Sequence, residues 1–194
     1  MADGFPVQQD LEARYRSVRQ KTERLAAPLA AKDQAAQSMA DASPTKWRLA
    51  HTTWFFETFL LDRPGYQPFD QRNRLLFNSY YESIGSPHPR SSRGLLTRST
   101  LQEVLDYRTQ IDAAMIDFLC EMYNRLQPVM ELGLNHEQQH QELILMDMSF
   151  PSPYWRRRVG APLTEASRRL AFAAPAPPTH THQRGTGTST AHPC

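Results

Sequence analysis

His136 and His140 lie four residues apart, a spacing that allows two side chains to bind the same ion. On an α-helix, residues at i and i+4 lie one turn apart on one face, so both imidazoles can reach one metal. Two ordinary histidines on a helix surface would have the same spacing. The pair therefore indicates a candidate metal site and leaves the structural interpretation open.

A third histidine, His51, lies on the same narrow helical arc as Trp47 and Trp54, which predicts that it faces the core. A buried neutral imidazole needs a partner, and a hydrogen bond within the core is one solution. Helical bundles also build metal sites from side chains on facing helices. Three neutral histidines would leave coordination positions open for water, oxygen or a substrate, as in catalytic sites.

The segment from His136 to His140 also matches the H-E-x-x-H pattern of zinc proteases, in which Glu137 would be the general base. One large class of these enzymes takes a glutamate from a downstream helix as its third ligand. The only acidic residue after Asp147 is Glu165, which follows several prolines. No upstream strand pattern provides a substrate-binding edge either, so the pattern favours this interpretation least.

Arg90 and Arg93 lie three residues apart beside a glycine, in a polar segment of the chain. Two guanidinium groups at this spacing could bind a carboxylate through paired N–H donors. Arginines in a polar loop are more often simply solvated, so the spacing alone leaves both interpretations open.

Helices must position these residues, because four stretches of the chain repeat their apolar residues with helical spacing. The first stretch runs from about Asp10 to Ala26. The second starts with Ser43 as the N-cap and Pro44 as the first helical residue, and it continues to about Leu61.

The third stretch opens at Thr100, which has the capping-box spacing to Glu103, and its apolar stripe extends to Met122. The fourth begins near Pro128 and continues through Met148. No stretch alternates polar and apolar residues for long enough to predict a strand. The prediction is an all-α protein, an antiparallel four-helix bundle.

The connection between the second and third helices, roughly residues 62–99, is rich in aromatic residues. Long connections in compact domains are usually functional or disordered, and the aromatics predict that this one packs as an ordered loop. From residue 151 the chain is rich in Pro, Arg, Ala and Thr, which predicts a disordered tail. The predicted organisation is a helical domain at residues 1–150 and a tail at residues 151–194.

The composition is that of an ordinary globular domain, with 40% hydrophobic residues and a net charge of +2. Neither value points to nucleic acid or to a membrane as a partner. Two cysteines make no disulfide framework, and the start of the chain has no signal-peptide pattern. No apolar stretch is long enough to span a bilayer. We therefore expect a soluble, cytoplasmic protein.

Three separated segments resemble blocks of the non-haem iron sulfoxide synthases of ergothioneine biosynthesis. They are residues 43–57 (SPTKWRLAHTTWFFE), 76–81 (LFNSYY) and 136–142 (HEQQHQE). The blocks occur in the family's order, and the resemblance covers roughly residues 25–148. It implies a DinB-like four-helix bundle, in agreement with the four stretches of helical periodicity.

The resemblance implies an iron(II) ion, Fe(2+), bound by His51, His136 and His140. The family uses O₂ to join the sulfur of γ-glutamylcysteine or cysteine to the imidazole carbon of trimethylated histidine, and the product is a sulfoxide. Arg90 and Arg93 match loop arginines that, in some members, hold the carboxylate of the thiol substrate. The family usually has His at the position of Arg48, which is not a ligand.

Complete members of the family carry a second domain, similar to sulfatase-modifying factors, which contacts the trimethylated histidine and supplies a tyrosine for the chemistry. The resemblance ends after Met148, so we expect a chain cut short before that domain, with metal binding retained and little sulfoxide formed by the chain alone. Two alternatives stay open. One is a single-domain DinB-like thiol transferase that uses the metal to activate a thiol, and the other is a non-catalytic helical bundle.

Overall fold

A computed structural model describes residues 4–81, 85, 88–96 and 99–149, without the side chains of residues 4–9 and 120–126. The tail predicted for residues 151–194 lies outside the described residues. All regular elements in the described ranges are helical, and no strand occurs in them. The protein is therefore all-α in this part of the chain, as the periodicity predicted.

Three long elements carry most of the structure: α1 (Gly4–Ala26), α3 (Thr45–Phe56) and α5 (Leu101–Ser149). A π-helical turn, Glu57–Leu61, extends α3 and brings the helical stretch to the residue that the sequence predicted. Shorter elements connect them. These are α2 (Ala31–Gln34), α4 (Asn73–Leu76) and a 3-10 helix at Arg90–Leu95.

The predicted N-cap of α3 is wrong by one residue. Pro44 is the cap, with extended backbone angles, and no side chain caps the helix. The Ser43 hydroxyl instead accepts a hydrogen bond from Arg93, and the Ser43 carbonyl accepts one from Arg48. The sequence missed this because both arginine contacts depend on the tertiary fold.

The capping box at the start of α5 is confirmed. The backbone N–H of Thr100 donates to the Glu103 carboxylate at 2.6 Å, and the backbone N–H of Glu103 donates to the Thr100 hydroxyl at 3.2 Å. Two donors at the helix start, where N–H groups lack partners within the helix, are thereby satisfied.

The third and fourth predicted helices form the single element α5, which nevertheless folds back on itself. Arg108 and Glu137 are 29 residues apart, about 43 Å along a straight helix, yet their side chains are 3.1 Å apart. The chain must therefore reverse between these residues. We call residues 101–119 the first arm of α5 and residues 127–149 the second arm. The second arm contains Pro128, which cannot donate a helical hydrogen bond.

The second arm packs antiparallel against α3. Gly133 lies beside Phe55 and Phe56, and an added Cβ at this glycine would approach their rings to 2.9 and 2.6 Å. Arg48, seven residues before Phe55, forms an ion pair with Asp147 at the other end of the same interface between the two helices. The missing side chain at Gly133 allows the two helices to approach closely, so the residues between these contacts face each other.

The connecting segment, residues 62–99, packs against this core in its described parts. Glu57 is buried and accepts hydrogen bonds from the hydroxyls of Tyr66 and Tyr107 and from the backbone N–H of Phe69. Phe77 is buried among the helices. These contacts agree with the ordered loop that the aromatic content predicted. Among the described helices, none has both the length and the apolar character needed to cross a membrane.

Candidate metal centre

Three imidazole rings lie close together in the interface between α3 and the second arm. The ring centroid of His51 lies 4.9 Å from that of His136 and 4.9 Å from that of His140, and the latter two centroids are 4.7 Å apart. One nitrogen from each ring lies within 4.8 Å of the others, so the three histidines could hold a metal ion. The structure thus brings together the three histidines that the sequence singled out.

His51 is oriented by its surroundings. Its Nδ1 lies 2.6 Å from the carbonyl oxygen of Phe77. A carbonyl oxygen can only accept a hydrogen bond, so Nδ1 carries the proton and Nε2 keeps its lone pair. The ring also stacks with Trp47, at 4.5 Å between centroids, and with Trp54, at 5.6 Å. A hydrogen bond from the second ring nitrogen to a backbone carbonyl is typical of histidines that bind metals.

His136 and His140 each have a ring nitrogen in need of a partner. Nδ1 of both rings is buried and makes no hydrogen bond to the described residues. Burial of a polar atom without a partner costs free energy, and an ion or a polar ligand at this position would remove that cost. Three neutral imidazoles suit iron(II) or zinc and leave further coordination positions free. The residues therefore fit a divalent metal.

The environment keeps the three imidazoles neutral. Burial lowers the pKa of all three rings, and the pKa values of His51 and His140 lie well below the ordinary range. The His136 ring and the guanidinium groups of Arg48 and Arg93 lower the pKa of His140 further. Metals bind the deprotonated imidazole, so little proton release has to accompany metal binding at neutral pH.

These pKa values predict that the metal-free protein loses stability below about pH 6.5. The unfolded chain takes up protons near the ordinary histidine pKa of 6.5, whereas the folded protein does so only at lower pH. The free energy of unfolding should therefore decrease as the pH falls, by up to about 1.4 kcal/mol per pH unit for each histidine. Urea unfolding at about pH 7.5 and pH 5.5 measures this, and His140→Ala should reduce the slope. Equal stability at both pH values would contradict the prediction.

Glu137 does not have the surroundings of a general base. Its carboxylate is fully buried and accepts hydrogen bonds from Arg19 at 2.9 Å and from Arg108 at 3.1 Å. Burial raises the pKa of this carboxyl group, but the two guanidinium groups outweigh burial and lower it to about 2. A carboxylate held by two cations has little tendency to take a proton from water. These surroundings do not fit the general base that the H-E-x-x-H pattern of zinc proteases requires.

Arg93 is a buried cation beside this site. Its side chain is 4% exposed, and its guanidinium carbon lies 3.6 Å from the centroid of the Trp47 ring. It donates to the hydroxyls of Ser43 and Ser79, while its Nε has no partner among the described residues. Burial and neighbouring guanidinium groups lower its pKa to about 10, so it stays charged at neutral pH. A buried charge that has no acidic partner in the described part of the chain is unusual in proteins.

Two further arginines act on the same part of the site. Arg90 is exposed, whereas Arg48 is buried and donates to the Asp147 carboxylate at 2.6 Å. Together with Arg93, both lower the pKa of His140. An anionic ligand beside the histidines would meet this positive charge.

Two parts of the site were not predicted from the sequence. The contribution of Phe77 is a backbone carbonyl, which no side-chain pattern identifies. The ion pair of Arg48 and Asp147 did have a signal, because Asp147 follows His140 by seven residues on the same helix face and Arg48 precedes His51 by three.

No model of a known protein family matches the chain, and no curated protein matches its sequence.

Proposed function

We propose that the chain binds one iron(II) ion through His51, His136 and His140. The observation that supports this most is the convergence of three neutral imidazoles, with the tautomer of His51 fixed by the Phe77 carbonyl. Imidazole nitrogens suit iron(II), and three protein ligands leave positions open for further ligands, as catalytic sites require.

We also propose that this chain is the metal-binding part of an O₂-dependent sulfoxide synthase that joins a thiol to trimethylated histidine. The three segments that resemble this family supply every histidine of the site and the Phe77 carbonyl. The packing of α1, α3 and the two arms of α5 is compatible with the DinB-like bundle of that family. Iron(II) bound here would supply the electron-transfer and O₂ chemistry that protein side chains lack.

The arginines would bind the carboxylate of the thiol substrate, which is γ-glutamylcysteine or cysteine by resemblance. Arg93 is buried beside the histidines and has an Nε–H without a partner among the described residues. The Trp47 ring and two serine hydroxyls hold its guanidinium group in place. Arg90, exposed nearby, would add positive charge where the substrate approaches.

A metal-dependent thiol transferase is the second candidate. Three imidazoles suit zinc as well as iron, and a bound metal activates a thiol by favouring its thiolate. The same histidines and arginines would serve this function, so the two candidates differ in the metal, in the need for O₂ and in the product. If the chain binds no metal, both are wrong, and the histidines are core residues of a non-catalytic bundle.

Thiol binding to the metal-loaded protein tests the proposal. We expect cysteine or γ-glutamylcysteine to produce a thiolate-to-metal absorption band in the cobalt(II)-substituted protein. The band should disappear in His136→Ala, and Arg93→Gln should weaken thiol affinity by about tenfold, the loss of one charge-assisted contact. His88→Ala is the matched control, because His88 is not part of the three-histidine cluster. Absence of the band in the unaltered protein would contradict the proposal.

Product analysis separates the two candidates. The protein is reconstituted anaerobically with iron(II) and then receives O₂, trimethylated histidine and the thiol. A sulfoxide in which sulfur is bonded to the imidazole carbon, detected by mass spectrometry, would support the synthase. Transfer of the thiol to another acceptor without consumption of O₂ would support the transferase.

A further inference from the structure

The charges beside His140 are not balanced within the protein. Arg48, Arg90 and Arg93 all act on this ring, and Asp147 is the one carboxylate that pairs with any of them in the described part of the chain. These three positive charges and one negative charge leave an excess of two positive charges. The excess is on Arg93, which is buried, and on Arg90, which is exposed.

Arg48 and Arg93 are held side by side by Ser43. The Nε–H of Arg48 donates to the Ser43 carbonyl at 3.0 Å, and Arg93 donates to the Ser43 hydroxyl at 2.8 Å. Two buried guanidinium groups so placed could bind two carboxylates, one each. One of these carboxylates is already present, because Asp147 binds Arg48 at 2.6 Å and is itself 8% exposed.

We propose that Asp147 is a resident counterion that occupies Arg48, so that the buried end of the site accepts one carboxylate group of a ligand, bound by Arg93, and disfavours a second carboxylate close to it. This inference rests on the anion-binding role proposed for the arginines and adds its charge specificity. A second carboxylate would have to displace Asp147 from Arg48 or lie beside Asp147. Either arrangement leaves a buried negative charge without its partner, which is unfavourable.

Two substitutions with opposite charge effects test the proposal in metal-free protein. Acetate and malonate serve as probes with one and two carboxylates, and their affinities are measured by NMR titration of the arginine Nε–H signals. Asp147→Asn frees Arg48 and should raise the preference for malonate over acetate by about tenfold, as one new charge-assisted contact provides. Arg48→Gln leaves Asp147 unpaired and should lower the same preference.

Asp62→Asn is the matched control. It makes the same change of charge in another ion pair, the one between Asp62 and Arg74. Asp62 is also far from Arg48, because it follows Arg48 by 14 residues, which is about 21 Å along the helical stretch. The preference for malonate should stay within about twofold of the original value, because charges at this distance are screened. Asp147→Glu, which keeps the charge, should also leave the preference close to that value.

A purely structural ion pair would give a different result. Both Asp147→Asn and Arg48→Gln would then weaken the two probes equally, and an unchanged preference would overturn the proposal. Absence of acetate binding in the unaltered protein would overturn it as well. If Asp147→Asn does not fold, Arg48→Gln alone tests the proposal, because a lowered preference for malonate supports it and an unchanged or raised preference contradicts it. Because these measurements use neither metal nor thiol, their failure is distinguishable from failure of the proposed enzymatic function.

Discussion

His51→Ala is expected to abolish stoichiometric iron(II) binding, with an affinity at least about 100-fold below that of the unaltered protein. Loss of an outer hydrogen-bonding partner of a metal ligand already costs 10- to 100-fold in affinity, and loss of the ligand itself should cost more. His51 is the only one of the three histidines contributed by α3. The remaining pair on the second arm would hold the ion from one side only.

Anaerobic titration with iron(II), followed by metal analysis of the desalted protein, measures this effect. His51 is 2% exposed and stacks with Trp47, so its removal also disturbs packing. His51→Gln fills more of the space and should lose metal to a similar extent, which separates the loss of the ligand from the loss of packing. His88→Ala should bind iron normally. Binding by His51→Ala with unchanged stoichiometry and affinity would show that the three-ligand centre is wrong.

The histidines of the site could be predicted because the pattern that identifies them lies within short segments of the sequence. Helical periodicity alone placed His51 on a buried arc between two tryptophans, and it placed His136 and His140 on one face. The sequence could not show that these two faces meet, because their contact depends on the packing of α3 against the second arm. That packing in turn requires the close approach permitted at Gly133.

The burial of Arg93 could not be predicted for a related reason. A polar loop normally leaves its arginines in water, and nothing near Arg93 in the sequence indicates otherwise. The guanidinium is covered because the 3-10 helix places it on the Trp47 ring and between two serines that are 50 and 14 residues away. The positions of Arg90 and Arg93 are equivalent in the sequence and very different in exposure.

The sequence also contains a signal for buried ion pairs. Arg19, Arg108 and Glu137 each lie on the apolar stripe of their helix, with buried neighbours three or four residues away, such as Tyr15, Ile111 and Leu134. A charged residue on such a stripe must be paired or it would destabilise the fold. Three of them on different helical segments therefore indicate a buried network, and the structure has one.

Glu137→Gln is expected to reduce the free energy of unfolding by about 3–5 kcal/mol, the usual effect of breaking a buried ion pair. The substitution preserves shape and leaves two buried cations, Arg19 and Arg108, without the charge between them. The lowered pKa gives a similar magnitude. A value of about 2 in the folded protein, against 4.5 for an ordinary glutamate, corresponds to about 3 kcal/mol. This stabilisation is present above pH 4.5 and is lost as the pH falls towards 2.

Glu131→Gln is the matched control, because it makes the same change on the same arm at an exposed ion pair with Arg14, 3.8 Å away. Its effect on urea unfolding should be below about 1 kcal/mol. The comparison also separates two roles for Glu137. A general base would leave a stable, metal-binding protein when replaced by Gln, whereas the buried network predicts an unstable one. Equal stability of the two variants would show that Arg19 and Arg108 are satisfied without this carboxylate.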